Sequence, residues 1–240
     1  MNLSRYLLLL VALLCSPALL AQDEMPEEDP WEPMNRKVFA FNEGLDRYFL
    51  KPVAHGYRAV TPDPLERGVT NFIANIYEFN TIINSTLQAR PEDAFDATGR
   101  FIINTTVGLL GFIDVASAMG IERKPADFGQ TLAVWGVDQG PYLMLPVLGP
   151  RTVRSGAGGL FDSYTGVPYL FGDSEDVMAF FALETLDIRA QLIKADDLVS
   201  GDRYIFVREV YLQRREAFVK GGKIEDSFSD FEDEEDFEDF

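Results

Sequence analysis

The chain has 240 residues, enough for one domain with a substantial core, and 47% of them are hydrophobic, which excludes a disordered chain. Its formal charge of −18 argues against nucleic acid and against unaided attraction to anionic lipid headgroups. Ten of the acidic side chains fall in residues 225–240, a stretch with no basic residue, so the rest of the chain is only mildly acidic.

In chain order, the first feature is an export signal. Arg5 supplies a short positive region and Tyr6 to Leu14 an uninterrupted apolar run, too short and too early for an ordinary spanning helix. Residues 1–21 are read as a signal peptide, with cleavage after Ala21 leaving Gln22 first. The single cysteine, Cys15, allows a second route: cleavage just before it and acylation there, at a junction where Leu14 is bulkier than lipoprotein processing prefers. On either route the protein is exported and uses no disulfide. Residues 22–28 read as a short acidic linker.

Asp29-Pro30-Trp31-Glu32 is a helix-start signature, with an acidic N-cap, a first-turn proline and a glutamate at N3; Pro33 is an equally good first-turn proline. Met34, Val38, Phe41, Leu45 and Tyr48 follow at helical spacing, and Lys51-Pro52 is expected to end the helix. Further helix starts stand at Asp63-Pro64-Leu65-Glu66 and at Pro91-Glu92-Asp93. Three proline-initiated helices predict an all-α fold, a single helical domain over residues 29–224.

Residues 101–119 are the least polar part of the chain after the signal, interrupted by Asn104, Gly108, Gly111 and Asp114. Two readings remain open: two short helices packed in a core, or helices lying in one membrane leaflet with their polar side toward an aqueous lumen. Phe128-Gly129-Gln130, Trp135-Gly136-Val137, Gly140-Pro141-Tyr142 and Leu145-Pro146 break any long helix over 125–150 and predict a looped or hairpin segment with an exposed apolar face, centred near 121–141. Trp135 and Tyr142 are candidate membrane-interface aromatics. A helix opens at Ser174-Glu175-Asp176, and a last one runs from about Arg203 to Lys220, stopping at Gly221-Gly222 with Glu216 and Lys220 as an i,i+4 pair. The acidic, phenylalanine-studded tail over 225–240 is expected to stay disordered by self-repulsion.

The side-chain inventory points away from an enzyme. One histidine, His55, and one cysteine, inside the signal, leave no histidine–cysteine metal site and no cysteine nucleophile, and no serine elbow accompanies His55. Gly156, Gly158 and Gly159 lack the dinucleotide spacing and read as a tight turn or close helix packing. No catalytic group, metal or cofactor is expected.

The chain resembles the VacJ/MlaA family of phospholipid-transport proteins. The resemblance rests on Asp29-Pro30-Trp31-Glu32-Pro33-Met34-Asn35-Arg36, Phe39-Ala40-Phe41-Asn42, Lys51-Pro52-Val53-Ala54, Arg100-Phe101, Asn104-Thr105, Gly111-Phe112-Ile113-Asp114-Val115-Ala116, Asp127-Phe128-Gly129-Gln130-Thr131-Leu132, Gly140-Pro141-Tyr142 and Tyr204-Ile205-Phe206-Val207-Arg208-Glu209. It implies a helical ring embedded in the periplasmic-facing inner leaflet of a Gram-negative outer membrane. Such a ring removes stray phospholipids from the outer leaflet through an amphipathic channel and passes them to a soluble periplasmic carrier, in association with a trimeric porin. Asn35, Phe41, Asn42, Asn104, Asp114 and Phe128 become candidate channel residues on that reading. The alternative is a periplasmic adaptor that scaffolds porins or other envelope proteins.

Overall fold

The computed structural model describes residues 29–166, 173–193, 196 and 201–221. The signal, the linker, Cys15 and the acidic tail lie outside the described residues. The fold is mostly helical, with one two-stranded sheet.

Helix α1 (Glu32–Leu45) begins with Trp31 at the N-cap and Pro33 in its first turn, two residues later than Asp29 would place it. Pro33 fits there because a first-turn residue has no intrahelical partner for its missing N–H. Asp29 is not a cap. Its carboxylate is fully buried and accepts from Asn35 Nδ2 at 2.8 Å, from Arg208 Nη1 at 3.3 Å and from the Tyr204 hydroxyl.

Nor does Pro52 end the helix. The chain passes through a π turn, Asp46–Leu50, and continues as α2 (Lys51–Val60), with Pro52 in the first turn. Proline's ring clashes with the carbonyl four residues back, and the wider π turn supplies the room. The bulge is held from across the fold: Arg189 grips Asp46 through two bonds of 2.6 and 3.1 Å.

Helix α3 (Asp63–Leu87) is the central element, packed against α4 (Pro91–Thr106), α6 (Phe128–Val134) and α8 (Ser174–Leu192). Its Ile73 and Ile76 meet Phe180 of α8 in a small apolar cluster with Phe72 and Tyr77 at its edge. After α4 the backbone turns through Leu109, Leu110 and Gly111, all at positive φ, into a one-turn helix α5 (Val115–Ala118) capped by Asp114. Gly111 is required there twice over, by its φ of 94° and because a Cβ would sit 2.4 Å from that of Asn75.

The expected hairpin falls at the C-terminal end of the 125–150 stretch, just downstream of 121–141. Residues 121–141 hold α6 instead, and the strands are β1 (Tyr142–Leu145) and β2 (Gly149–Thr152), antiparallel, with Tyr142 opposite Thr152. Helix α7 (Val153–Thr165) follows at once, started by a Thr152/Ser155 capping box. It packs on α6 so closely that a Cβ on Gly158 would lie 2.3 Å from the Gly129 nitrogen, which realises the close-packing reading of the glycine-rich stretch. Helix α9 (Arg203–Val219) closes a second small core, in which Tyr204 joins Tyr142 and Met144 of β1.

The hairpin is fastened to α1 by two asparagines. Asn35 donates to the Tyr142 carbonyl at 3.1 Å and accepts from the Met144 amide at 2.9 Å. Two turns on, Asn42 donates to the Leu145 carbonyl at 2.9 Å and accepts from the Val147 amide at 2.8 Å. Seven helical residues rise roughly 10.5 Å, and three extended residues span roughly 10 Å. The i,i+7 spacing on the helix therefore matches a three-residue step along the strand, and each side-chain amide acts as a fragment of a third strand.

Candidate functional site

Polar and apolar residues are distributed against the usual rule. Among the described residues nineteen polar or charged side chains are buried against eleven hydrophobic ones, of which five are alanines and none is leucine or valine. Large apolar side chains meanwhile stand exposed on nearly every helix. Of the apolar stripe Met34, Val38, Phe41, Leu45 and Tyr48, only Val38 packs inward, on the Tyr142 core; Met34, Phe41 and Leu45 of α1 and Tyr48 of the π turn are exposed, while Asn35 and Asn42 face inward. The apolar stretch 101–119 is not packed in a core either. Ile102, Val107, Leu109, Leu110, Ile113 and Met119 are all exposed, and only Ala116 among its apolar side chains is buried. In water this arrangement is costly on both counts, since buried polar groups lose hydration and exposed apolar ones order it.

The polar interior is organised on α3. Arg100 of α4 is 3% exposed and donates from Nε to Glu78, 1% exposed, at 2.8 Å; its Nη2 reaches Asp114 at 3.0 Å and its Nη1 reaches the Ser117 hydroxyl at 3.0 Å. Asn104 completes the knot by donating to Asp114 at 3.0 Å and accepting from the Ala116 amide at 2.9 Å. Burial works against the Asp114 charge, but bonds from Ser117, Asn104 and Arg100 outweigh it and hold its pKa at about 2. Burial dominates at Glu78 and pushes its carboxyl upward despite Arg100 and Arg123.

A second knot joins α3 to α6 and α7. Asn84 donates to Asp162 at 2.9 Å and accepts from Thr131 at 2.8 Å, while Asp162 also receives the Phe128 amide at 2.8 Å. Burial lifts Asp162 to about 6, against the pull of those donors.

Two adjoining cavities open between α3 and α8. One, of about 480 Å³, is lined by Arg58, Asp63, Glu66, Arg67, Asn71 and Ala190. The other, of about 180 Å³, is lined by Ile73, Ala74, Tyr77, Arg123, Glu184, Asp187 and Ile188. Thr70 and Gln191 line both. Between the two, Thr70 donates to Asp187 at 3.0 Å, and Gln191 donates to Asp187 at 2.7 Å and to Thr70 at 3.1 Å. Burial raises the Asp187 carboxyl above its ordinary range, opposed by those same donors.

None of the six channel candidates lines either cavity. Asn35 and Asn42 hold the hairpin, and Asn104 and Asp114 hold α4 to α5, so all four serve to fasten elements together. Phe41 is on the outer face of α1. Phe128 is stacked on Phe161 at 3.8 Å, with Trp135 edge-on at 5.7 Å. Trp135 is 54% exposed and its indole donates to the Leu87 carbonyl at 3.3 Å, an amphipathic setting. Tyr142 corrects the expectation of an interface aromatic: it is 0% exposed, because the strand that carries it is covered by α1 and α9. The sequence reading missed Thr70, Asp187 and Gln191. Thr70 and Asp187 are 117 residues apart, and only the fold brings them together.

The fold and site define a helical protein with a polar, hydrogen-bonded interior and an apolar exterior, among whose described helices none is long and apolar enough to cross a membrane. The MlaA lipoprotein family model matches residues 27–218. The chain belongs to that family. It is 36% identical over 214 residues to the intermembrane phospholipid transport system lipoprotein MlaA of Escherichia coli, covering 84% of this chain and 82% of that one. It is 34% identical over 205 residues to the protein of the same description from Haemophilus influenzae, covering 83% and 82%. A solved structure described as the structural basis for maintenance of bacterial outer membrane lipid asymmetry superposes with a TM-score of 0.71 at 37% identity, covering 80% of this chain and 98% of that chain.

Proposed function

We propose that this protein is a non-enzymatic phospholipid-transport component of the outer membrane, seated in the inner leaflet, which takes mislocalised phospholipids from the outer leaflet and passes them to a soluble periplasmic carrier. The observation that carries this reading is the inverted side-chain distribution. Exposed apolar faces on described helices that are not long and apolar enough to cross a membrane suit surroundings of acyl chains, and a polar interior suits passage of a headgroup. The family and the relatives named for intermembrane phospholipid transport support the substrate. Association with a trimeric porin fits exposed apolar side chains on a protein among whose described helices none is long and apolar enough to cross a membrane. The path is placed along the α3/α8 cavities, with Thr70, Asp187 and Gln191 at the constriction. Cells lacking the protein will accumulate outer-leaflet phospholipid, measured by surface labelling or by lipid A modification. Unchanged lipid asymmetry in those cells overturns the transport reading and leaves the porin-scaffolding alternative.

The turn after α4 tests the embedding. Leu109 and Leu110 adopt left-handed backbone, φ 53° and 60°, and are 67% and 66% exposed. Left-handed backbone costs a non-glycine residue roughly 1–2 kcal/mol. Leu110→Gly will therefore raise the stability of the detergent-solubilised protein by about 1 kcal/mol while weakening its retention in membranes washed with high salt or urea. A variant gaining stability with no loss of retention would place this turn outside the bilayer.

A further inference from the structure

We infer that the larger α3/α8 cavity is a headgroup seat built for a zwitterionic phospholipid, with Arg58 and Arg67 receiving the phosphate and Asp63 and Glu66 the ammonium. The inference rests on the transport reading above. Its first support is charge balance: two guanidinium and two carboxylate groups line one cavity of about 480 Å³. A volume of several hundred Å³ is that of a small-molecule site.

The second support is that these charges have no ion-pair partner among the described residues. Asp63 and Arg67 stand i,i+4 on α3 with the acid nearer the N-terminus, the favourable order for an intrahelical pair. Yet none of the four side chains forms an ion pair with another or with any described residue, although ion pairs are abundant in the rest of the protein. Opposite charges held in one cavity without neutralising each other are arranged to meet a ligand that carries both signs. An anionic headgroup would satisfy the arginines and leave Asp63 and Glu66 facing its negative charge.

The third support is a buried hydroxyl that feels the charges of Glu66 and Asp187, though it does not itself line the seat. The hydroxyl of Tyr57, the neighbour of Arg58, is buried without a hydrogen-bond partner. Burial, and then the charges of Asp187 and Glu66, keep it protonated and available as a donor. Past Thr70 and Gln191 the second cavity sets Ile73, Ala74 and Ile188, apolar cover for the start of an acyl chain, beside Arg123, Glu184 and Asp187.

The test uses the full chain, purified in detergent, with short-chain phosphatidylethanolamine, phosphatidylcholine and phosphatidylglycerol as ligands. Both zwitterionic lipids are expected to bind about tenfold more tightly than phosphatidylglycerol. Arg58→Ala/Arg67→Ala should weaken all three by tenfold or more. Asp63→Asn/Glu66→Gln should abolish the preference and favour phosphatidylglycerol. The four sites are at or near the surface, and thermal melts matching the parent will verify folding. Equal binding of all headgroups, or a preference the acid-site variant leaves intact, overturns the seat. Free phosphoethanolamine competing as well as the intact lipid also overturns it, because the site would then serve a soluble phosphate ester. The transport reading fails separately, when cells lacking the protein keep normal lipid asymmetry. A variant that restores asymmetry without headgroup preference refutes the seat alone.

Discussion

Replacing Arg100 with methionine will destabilise the protein by roughly 3–5 kcal/mol, the usual effect of removing one partner from a buried ion pair. The guanidinium binds Glu78, Asp114 and Ser117 at once, and both it and Glu78 are nearly inaccessible. Methionine keeps an unbranched apolar stem but lacks the guanidinium, and it leaves the Glu78 carboxylate buried, with only Arg123 at 3.5 Å. The pH dependence gives the mechanism its signature. Glu78 already has a pKa raised above its ordinary value, and the variant moves it further in the same direction. A carboxyl whose folded-state pKa exceeds its unfolded value favours the folded state when protonated, and loses that advantage as the pH rises through the folded pKa. The deficit of Arg100→Met will therefore shrink as the pH falls from 8 toward 5, and Glu78→Gln in the same background will recover part of it at pH 8. Urea unfolding in detergent across that range measures both. A deficit under 1 kcal/mol, or one independent of pH, is incompatible with this account.

The second large effect is expected at Asn35. Alanine there removes three hydrogen bonds in a site without access to water, orphaning one oxygen of Asp29, the Tyr142 carbonyl and the Met144 amide. Each buried group left unpaired costs about 1–3 kcal/mol, so Asn35→Ala should lose about 3 kcal/mol or more. Asn42→Ala makes the contrast. It releases the Leu145 carbonyl and the Val147 amide near the hairpin tip, where water can replace the side chain, and its cost should stay near 1 kcal/mol. Hydrogen exchange at the Met144 amide reads the difference. It should speed up by two or more orders of magnitude in the Asn35 variant and much less in the Asn42 variant. Equal effects at the two sites would mean that the helix holds the hairpin by packing alone.

Much of the helical framework was legible in the sequence because its signals are local. First-turn prolines at 33, 64 and 91 mark three helix starts, and the last helix stops at Gly221 with φ 72° and the Glu216–Lys220 pair at 3.1 Å. The terminator expected at Pro52 failed because a single π turn makes room for the proline, and no residue pattern announces such a turn. The direction of burial was harder still. Periodicity finds an apolar stripe such as Met34, Phe41 and Leu45 but does not say which solvent it faces. In surroundings of hydrocarbon the usual inference from apolar to interior reverses. Periodicity therefore left both readings of 101–119 open, and Tyr142 was misplaced because nothing local in the sequence shows that α1 and α9 cover its strand. The cavities were invisible because their constriction joins Thr70 to Asp187 and Gln191 across more than a hundred residues.

The pairing of Asn35 and Asn42 with the hairpin makes α1 a ruler with two marks. Because one helical residue contributes 1.5 Å of rise and about 100° of rotation, a chain shortened by one residue between the marks cannot keep both on the strand. Whichever asparagine stays seated, the other swings to a different face of the helix, and either the hairpin tip or the buried Asp29 knot must let go. The segment 36–41 can accept changes of side chain, but its length is fixed by the geometry of a strand more than a hundred residues away.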